Sequence, residues 1–309
     1  MIKEFKWSMK QVFEMTDMGN LKLFLGLEVK QTKVGIFLSQ EKYANSLLSK
    51  FGVQYSKEEV TPMNHNEKLQ LNDGADKVDE QQFRSLVGGL LYLTHSRPDL
   101  AYSVSLVSRF MQSPSKIHMG AARRILKYVA STTKFGIWYK KNQGIELMGY
   151  SDSDWASCLD DRKSLSAYVF TLGTGMVSWR SKKQPTVALS STEAEYISAT
   201  GATCQALWLR RVLEDLGYKQ NKPTMIYCDN KSAIHLAKNP VTDGRTRHID
   251  IKYHFIREMI GKEQVNLEFC NTYNQVADVF TKSLAREKFV YFRHKLGVME
   301  FESREDDEE

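Results

Sequence analysis

The chain has 309 residues, 42% of them hydrophobic and 11% aromatic, enough to bury two cores of ordinary size and typical of folded globular protein. A mean hydropathy of -0.43 with no long apolar run argues against a membrane span. The net charge of +6 is uneven: residues 302–309 hold six acids and one base and carry -5, so the body carries +11. A basic body points to an anionic partner such as nucleic acid, and the acidic stretch to a disordered, solvated tail.

In chain order, the opening MIKEFKWSMK has neither the apolar core nor the small-residue cleavage site of a secretory signal, and an intracellular protein is expected. Two β-rich runs separated by Gln31 to Gly35 read as a hairpin, followed by a helix from about Ser39 to Phe51. Residues 61–79, polar and containing Pro62 and Gly74, read as an exposed connector. Pro98 stands at a first helical position, and Ser115 can cap a helix reaching about Ala130. On that helix Arg123 and Lys127 share a face that suits either solvent or a phosphate backbone.

Near Gly144 the character turns from helical to β-rich, which sets the expected domains at 1–143 and 144–301, with the tail at 302–309. Strands are expected at about Ile145 to Ser151, Tyr168 to Leu172 and Met176 to Arg180, with Gly173 and Gly175 in the turn between the last two. A long helix follows from Thr192 to near Gly217, then a strand from Thr224 to Cys228. Helical stretches near Ser232 to Ala237 and Arg247 to Gly261, a strand near Val265 to Phe269 and a helix from Asn274 complete the series. The four cysteines, Cys158, Cys204, Cys228 and Cys270, form no CxxC pair and suggest neither a zinc site nor a disulfide framework.

Four acids stand out by their place on these elements. Period-two alternation puts Met148, Tyr150 and Asp152 on one strand face, and Met225, Tyr227 and Asp229 repeat the pattern, so two carboxylates end packed strands at one sheet edge. On the long helix Ala199, Ala202, Ala206, Leu209, Leu213 and Leu216 form a buried stripe that, extended back one turn, lands on Glu195. A carboxylate there is costly unless compensated, as by a divalent metal; Thr192 and Glu195 equally fit a capping box. Asp278 falls in the first turns of the expected last helix, where the helix dipole alone favours an acid. Asp154, two residues beyond Asp152, is a rival to it. Hard oxygen donors converging without His or Cys suit Mg²⁺ or Mn²⁺ better than zinc.

The blocks GYSDSDWA, DRKSLSAYVF, VSWRSKKQ, VALSSTEAEYIS, IYCDNKSAI, RTRHIDIKYHFIRE and QVADVFTKSL, in this order and spacing, resemble the reverse transcriptase and ribonuclease H region of copia-type retrotransposon Pol polyproteins. FLGLEV, GIFLSQEKYA, FRSLVGGLLYLTHSRPDLAYSVSLVSRFM and AARRILKYV resemble the family's primer-grip, thumb and connecting segments, so the resemblance covers nearly everything before the tail. It implies an α/β fold: a ribonuclease H-like mixed five-stranded sheet with flanking helices, preceded by a mostly helical thumb and connection region. It also implies hydrolysis of the RNA strand of RNA/DNA hybrids by two Mg²⁺ or Mn²⁺ ions, in the cytoplasm (virus-like particle) or nucleus.

The family's metal-binding acids fall on Asp152, Glu195, Asp229 and Asp278. Ser191, Thr192 and Asn230 would contact the RNA 2'-hydroxyl; His248 and His254 either assist turnover or pack their helix, and Arg245, Arg247, Lys182 and Lys183 either meet phosphates or are ordinary surface bases. The paired aspartates of the family's polymerase site have no counterpart in residues 1–60, and Asp160 and Asp161 belong to a different block. No polymerase activity is therefore expected from this chain alone, and the polymerase part of the polyprotein is an expected partner. Other readings are an integrase-like enzyme or a non-catalytic nucleic-acid-binding remnant of a decayed element.

Overall fold

Two turn signals shape the first segment. Thr32 accepts backbone hydrogen bonds from Val34 and Gly35 through its hydroxyl and closes the hairpin of β2 (Leu27–Gln31) and β3 (Gly35–Ser39). Strand β1 (Leu23–Phe24) pairs at its edge. The computed structural model, which describes residues 2–141, 144–239 and 250–301, also has a helix α1 (Ile2–Val12) ahead of the hairpin. Helix α2 (Glu41–Lys50) follows β3 directly, as expected, and buries Ala44, Leu47 and Leu48. Residues 61–79 form no helix or strand, but they are not wholly exposed: Thr61, Met63 and Leu69 are buried, because the stretch lies across the helices that follow.

Asp79 caps α3 (Glu80–Leu93), accepting from the amides of Gln81 and Gln82. Pro98 opens a 3-10 turn (Pro98–Leu100) that leads into α4 (Ala101–Ser108). Ser115 caps α5 (Lys116–Ala130), and His118 returns the bond through Nδ1 to the Ser115 amide at 3.0 Å. These helices are tied together by a buried ion pair. Arg97 donates to Asp99 at 2.9 and 2.8 Å and to the carbonyl of Thr132 at 2.7 Å, and Tyr128 donates to Asp99 at 2.7 Å.

Strand β4 (Phe135–Lys140) pairs antiparallel with β3. The chain then crosses, near the predicted boundary at 144, into a second sheet, but it also crosses back. Strand β10 (Val298–Glu300) pairs with β4 and completes a first sheet of order β1-β2-β3-β4-β10. Phe280, Phe289, Phe292 and Leu296 enter the same core as the first helices, so residues 276–300 finish the hydrophobic core of the segment that precedes the boundary.

The second sheet has the predicted composition: β5 (Leu147–Asp154), β6 (Leu165–Leu172) and β7 (Gly175–Lys183) are antiparallel, while β8 (Thr224–Cys228) runs parallel to β5 and β9 (Val265–Phe269) parallel to β8. Its order is β7-β6-β5-β8-β9. Gly173, at φ +62°, makes the β6–β7 turn in a conformation that side chains disfavour. Helix α6 (Ser191–Asp215) packs on one face with Ala199, Ala202, Ala206, Leu209 and Leu213 buried. The stripe stops there, since Leu216 is exposed. Helices α7 (Lys231–Lys238) and α8 (Asp250–Gly261) join α6 on that face.

The expected helix from Asn274 does not form. Instead two 3-10 turns (Thr272–Asn274 and Val276–Phe280) lead to α9 (Arg286–Lys295) on the opposite face. The Gln275 side chain is the reason: its Oε1 accepts from the Ala277 amide and its Nε2 reaches the carbonyl of Ser151 at 3.0 Å, which holds the loop against β5.

Candidate metal centre

The register of the parallel pair builds the site. Tyr150 lies opposite Tyr227 across β5 and β8, with ring centroids 5.1 Å apart, so the residues two further along each strand, Asp152 and Asp229, emerge side by side. Strand β5 continues beyond the expected Ser151 to Asp154, because β6 supplies ladder partners there: Asp152 faces Ala167 and Asp154 faces Leu165.

The turn Val276–Phe280 approaches the same edge from below and brings Asp278. Carboxylate oxygens of Asp152, Asp229 and Asp278 lie within 4.8 Å of one another. From α6, on the other face, Glu195 comes within the same distance of Asp229 and Cys228. Asp229 is thus the acid common to both groups. All four predicted acids meet at one sheet edge, while Asp154, the rival, faces a separate cavity shared with Asn66, Tyr102, Arg109 and Lys282.

The capping alternative for Glu195 does not hold. Ser190 caps α6 by accepting from the Glu193 amide, and Glu193 accepts from the Leu189 amide, so the capping pair sits two residues before Thr192 and Glu195. Glu195 Oε1 instead accepts from the amide and hydroxyl of Ser153 at 2.9 and 3.0 Å. Nor does Asp278 lie on a helical dipole of any length; it is held by charge, with Lys282 Nζ at 2.9 Å from Oδ1 and Lys288 Nζ at 2.6 Å from Oδ2.

Ser153, Thr272, Thr281, Lys282 and Lys288 were not singled out by sequence. Thr281 donates to Asp152 Oδ2, and Thr272 donates to Asp229 Oδ2 at 3.0 Å. Thr281 and Lys282 follow Asp278 at the i+3 and i+4 spacings that place side chains on one face of a turn, and that spacing was the available signal.

Burial pushes the Asp152 carboxyl up to about 7, and the charges of Asp278 and Asp229 add to it against the pull of Lys282 and Thr281. Burial, then Asp152 and Asp229, pushes Glu195 well above the usual carboxylate range, despite the two bonds from Ser153. Burial lowers and the carboxylates of Asp152 and Asp278 raise the Lys282 ammonium, with the carboxylates prevailing. Burial and Glu195 hold the Cys228 thiol well above its ordinary value, so it is neutral where it points at Glu195 Oε2, 3.7 Å away.

This donor set fits a divalent cation. Asp152 and Glu195 are 1% and 5% exposed, and Lys282 Nζ stands 3.8 Å from Asp152. No described lysine or arginine pairs with Glu195 or Asp229. Contrary to the expectation of acids without Cys, the Cys228 thiol stands among them, but it is neutral, and buried, under-compensated carboxylate charge is what a hard divalent ion neutralises.

A family model described as reverse transcriptase (RNA-dependent DNA polymerase) matches residues 1–65. The Pol polyprotein from transposon RE1 of Arabidopsis thaliana is 40% identical over 291 residues, 94% of this chain and 20% of the relative. An uncharacterised mitochondrial protein of the same plant is 36% identical over 205 residues, 65% of this chain and 84% of its own length. The chain belongs to the copia-type retrotransposon Pol polyprotein family.

It spans about a fifth of the length of the family polyprotein RE1. Among solved structures, LC11-RNase H1 isolated from compost covers 44% of the chain and 93% of its own length at 12% identity and a TM-score of 0.35. Three antiparallel strands, a parallel fourth and fifth, and helices on both faces are the ribonuclease H-like arrangement that the family implies.

Around the acids of this copia-type chain, Ser191 is exposed and Thr192 half-buried in the first turn of α6. Asn230 caps α7 by accepting from the Ala233 amide at 2.9 Å. Lys182 is exposed, and Lys183 is paired with Asp161 at 2.8 Å. Asp160 accepts from the Leu71 amide, which leaves the adjacent acids Asp160 and Asp161 in structural roles, away from the metal centre. His248, Arg245, Arg247 and the tail at 302–309 lie outside the described residues, as does the side chain of His254. No helix among the described residues is long and apolar enough to cross a membrane.

Proposed function

We propose that the chain is the ribonuclease H part of a retrotransposon polyprotein and hydrolyses the RNA strand of RNA/DNA hybrids. The observation that carries this reading is the convergence of Asp152, Glu195, Asp229 and Asp278, from two strands, a helix and a turn, on one sheet edge. Such acids share no structural need to meet, and a metal site supplies one.

Asp152 and Asp229 hold the centre, Glu195 closes the α6 side and Asp278 the opposite side. When bound, two Mg²⁺ or Mn²⁺ ions would supply an activated water and stabilise the leaving 3' oxygen. The protein's part is orientation. Ser153 fixes Glu195, Thr281 fixes Asp152 and Thr272 fixes Asp229, each through a hydroxyl donated to a carboxylate oxygen. Lys282 and Lys288 pair with the buried Asp278 and hold it in place. Ser191 and Thr192, at the accessible start of α6, suit contacts to the 2'-hydroxyl that distinguishes RNA. Asn230 has its carbonyl oxygen committed to the α7 cap, which leaves its amide nitrogen for the substrate.

The N-terminal stretch presents Phe5, Trp7, Phe13, Met18 and Phe24, all more than half exposed. Apolar side chains at that density suit a protein partner, and the polymerase part of the polyprotein is the proposed one.

The test is an end-labelled RNA/DNA hybrid incubated with the purified chain and Mg²⁺, beside duplex DNA and duplex RNA. Cleavage confined to the RNA of the hybrid, abolished by EDTA, supports the reading. No cleavage, with the metal shown to bind, would favour the non-catalytic remnant.

A further inference from the structure

On the face of the second sheet that carries α9, a cavity of about 380 Å³ opens beside the acids. Three tyrosines form its walls: Tyr150 and Tyr227 from the central strands and Tyr291 from α9. The Tyr150 and Tyr227 rings lie side by side, with centroids 5.1 Å apart. Asn274 contributes an amide, Asn271 its amide nitrogen (its Oδ1 accepts from the Tyr273 amide) and Lys295 an ammonium. Thr272, next to Asn271 of the cavity wall, is the residue that donates to Asp229.

Tyr150 packs against the core, but core packing does not account for Tyr291, Phe269 and Tyr273. Tyr291 and the neighbouring Phe269 are each 45% exposed, and Tyr273 is 81% exposed. Two of them carry cations: Lys295 Nζ stands 5.5 Å from the Tyr291 ring centroid and Lys231 Nζ 4.7 Å from that of Phe269. Half-exposed aromatic faces beside lysines are the elements of single-strand nucleic-acid binding, in which bases stack on rings and phosphates meet ammonium groups. A side-chain amide adds a donor and an acceptor that match the edge of a base. The volume lies within the range of small-ligand sites, about 300 to 1,000 Å³.

We propose that this cavity takes the base of an unpaired nucleotide, stacked on Tyr291 and edged by Asn271 or Asn274, while Lys295 and Lys231 meet its phosphates. The chain would then hold a single-stranded stretch flanking the hybrid next to the cleavage centre. The proposal rests on the nucleic-acid reading above, but its test reads binding without metal, so either can fail while the other stands.

The experiment measures fluorescence anisotropy of labelled single strands of about 12 nucleotides, within the span of one single-strand site, added to the full chain in EDTA. DNA and RNA arms are run beside an abasic strand of equal length. Base-bearing strands should bind roughly tenfold more tightly than the abasic one, and either arm showing this supports the proposal and names the strand. Tyr291→Ala should remove that difference and Tyr291→Phe, which keeps the ring, should retain it. Lys295→Gln should weaken base-bearing and abasic strands alike and lower the salt slope by about one. Equal binding of abasic and base-bearing strands, or unchanged base dependence in folded Tyr291→Ala, overturns the proposal.

Discussion

Thr281 donates its hydroxyl to Oδ2 of Asp152, a contact between residues 129 apart that fixes the central carboxylate of the metal site. Both side chains are buried, so no water replaces the bond when it is lost. Thr281→Val should lower hybrid cleavage by roughly 10- to 100-fold, the usual cost of removing an orienting partner from a metal ligand, and raise the Mg²⁺ concentration needed for half-maximal rate. Thr281→Ser should recover most of the activity. A Thr281→Val enzyme with an unchanged Mg²⁺ dependence would show that Asp152 is not a ligand.

The raised carboxylates of Asp152 and Glu195 give a pH dependence of stability whose sign follows from the direction of the shifts. A group with a folded pKa above its unfolded value contributes stability in full below the unfolded value and loses it as pH rises through the folded one. The metal-free protein should therefore gain thermal stability as pH falls from 8 towards 5, the window set by the lift of Asp152 to about 7. Glu195, shifted in the same direction, adds to the trend. Saturating Mg²⁺ should flatten it, because a bound cation favours the ionised forms. A melting curve series with and without metal checks both statements. A stability maximum at pH 8 without metal would contradict them.

Asp278 differs from the other three acids in being bound by two lysines. Lys288→Met leaves it one cation and should destabilise the fold by on the order of 2 kcal/mol, less than the cost of breaking a fully buried pair because the lysine is one-third exposed. Asp278→Asn should also destabilise, since it leaves Lys282 and Lys288 crowded without their anion. Urea unfolding of both variants measures this, and stability equal to the parent protein would show that the pairs contribute nothing.

The Arg97–Asp99 pair is further from the chemistry and wholly buried. Arg97→Met strands the Asp99 carboxylate and the Thr132 carbonyl in the core, and should cost about 3 to 5 kcal/mol with the metal centre otherwise intact. Thermal unfolding tests it; a loss below about 1 kcal/mol would mean that the pair behaves as a surface one.

Asp152, Glu195 and Asp229 were legible because short-range rules reach them. Alternation places Asp152 and Asp229 two residues beyond a tyrosine each, and the parallel register of Tyr150 with Tyr227 turns that local pattern into contact. Glu195 follows from the helical period of the alanine stripe. The turn that carries Asp278 has no local signal separating it from a helix start, because its shape is set by Gln275 bonding to Ser151, 124 residues away. The return of β10 to β4 was invisible for the same reason, as three residues of strand leave almost no periodic signal. Thr281, Lys282 and Lys288 acquire their roles only when that turn meets β5.

The most direct test of the metal centre is to measure hybrid cleavage and metal-free melting temperature together for Asp229→Asn, the acid that both ligand groups share. The substitution keeps shape and the bond from Thr272 while removing one of several crowded charges. Cleavage should fall by at least a thousandfold, a loss of about 4 kcal/mol of transition-state stabilisation, while the melting temperature without metal stays level or rises. Retained cleavage with a lowered melting temperature would show that Asp229 is a structural acid and that the four carboxylates do not form the active site.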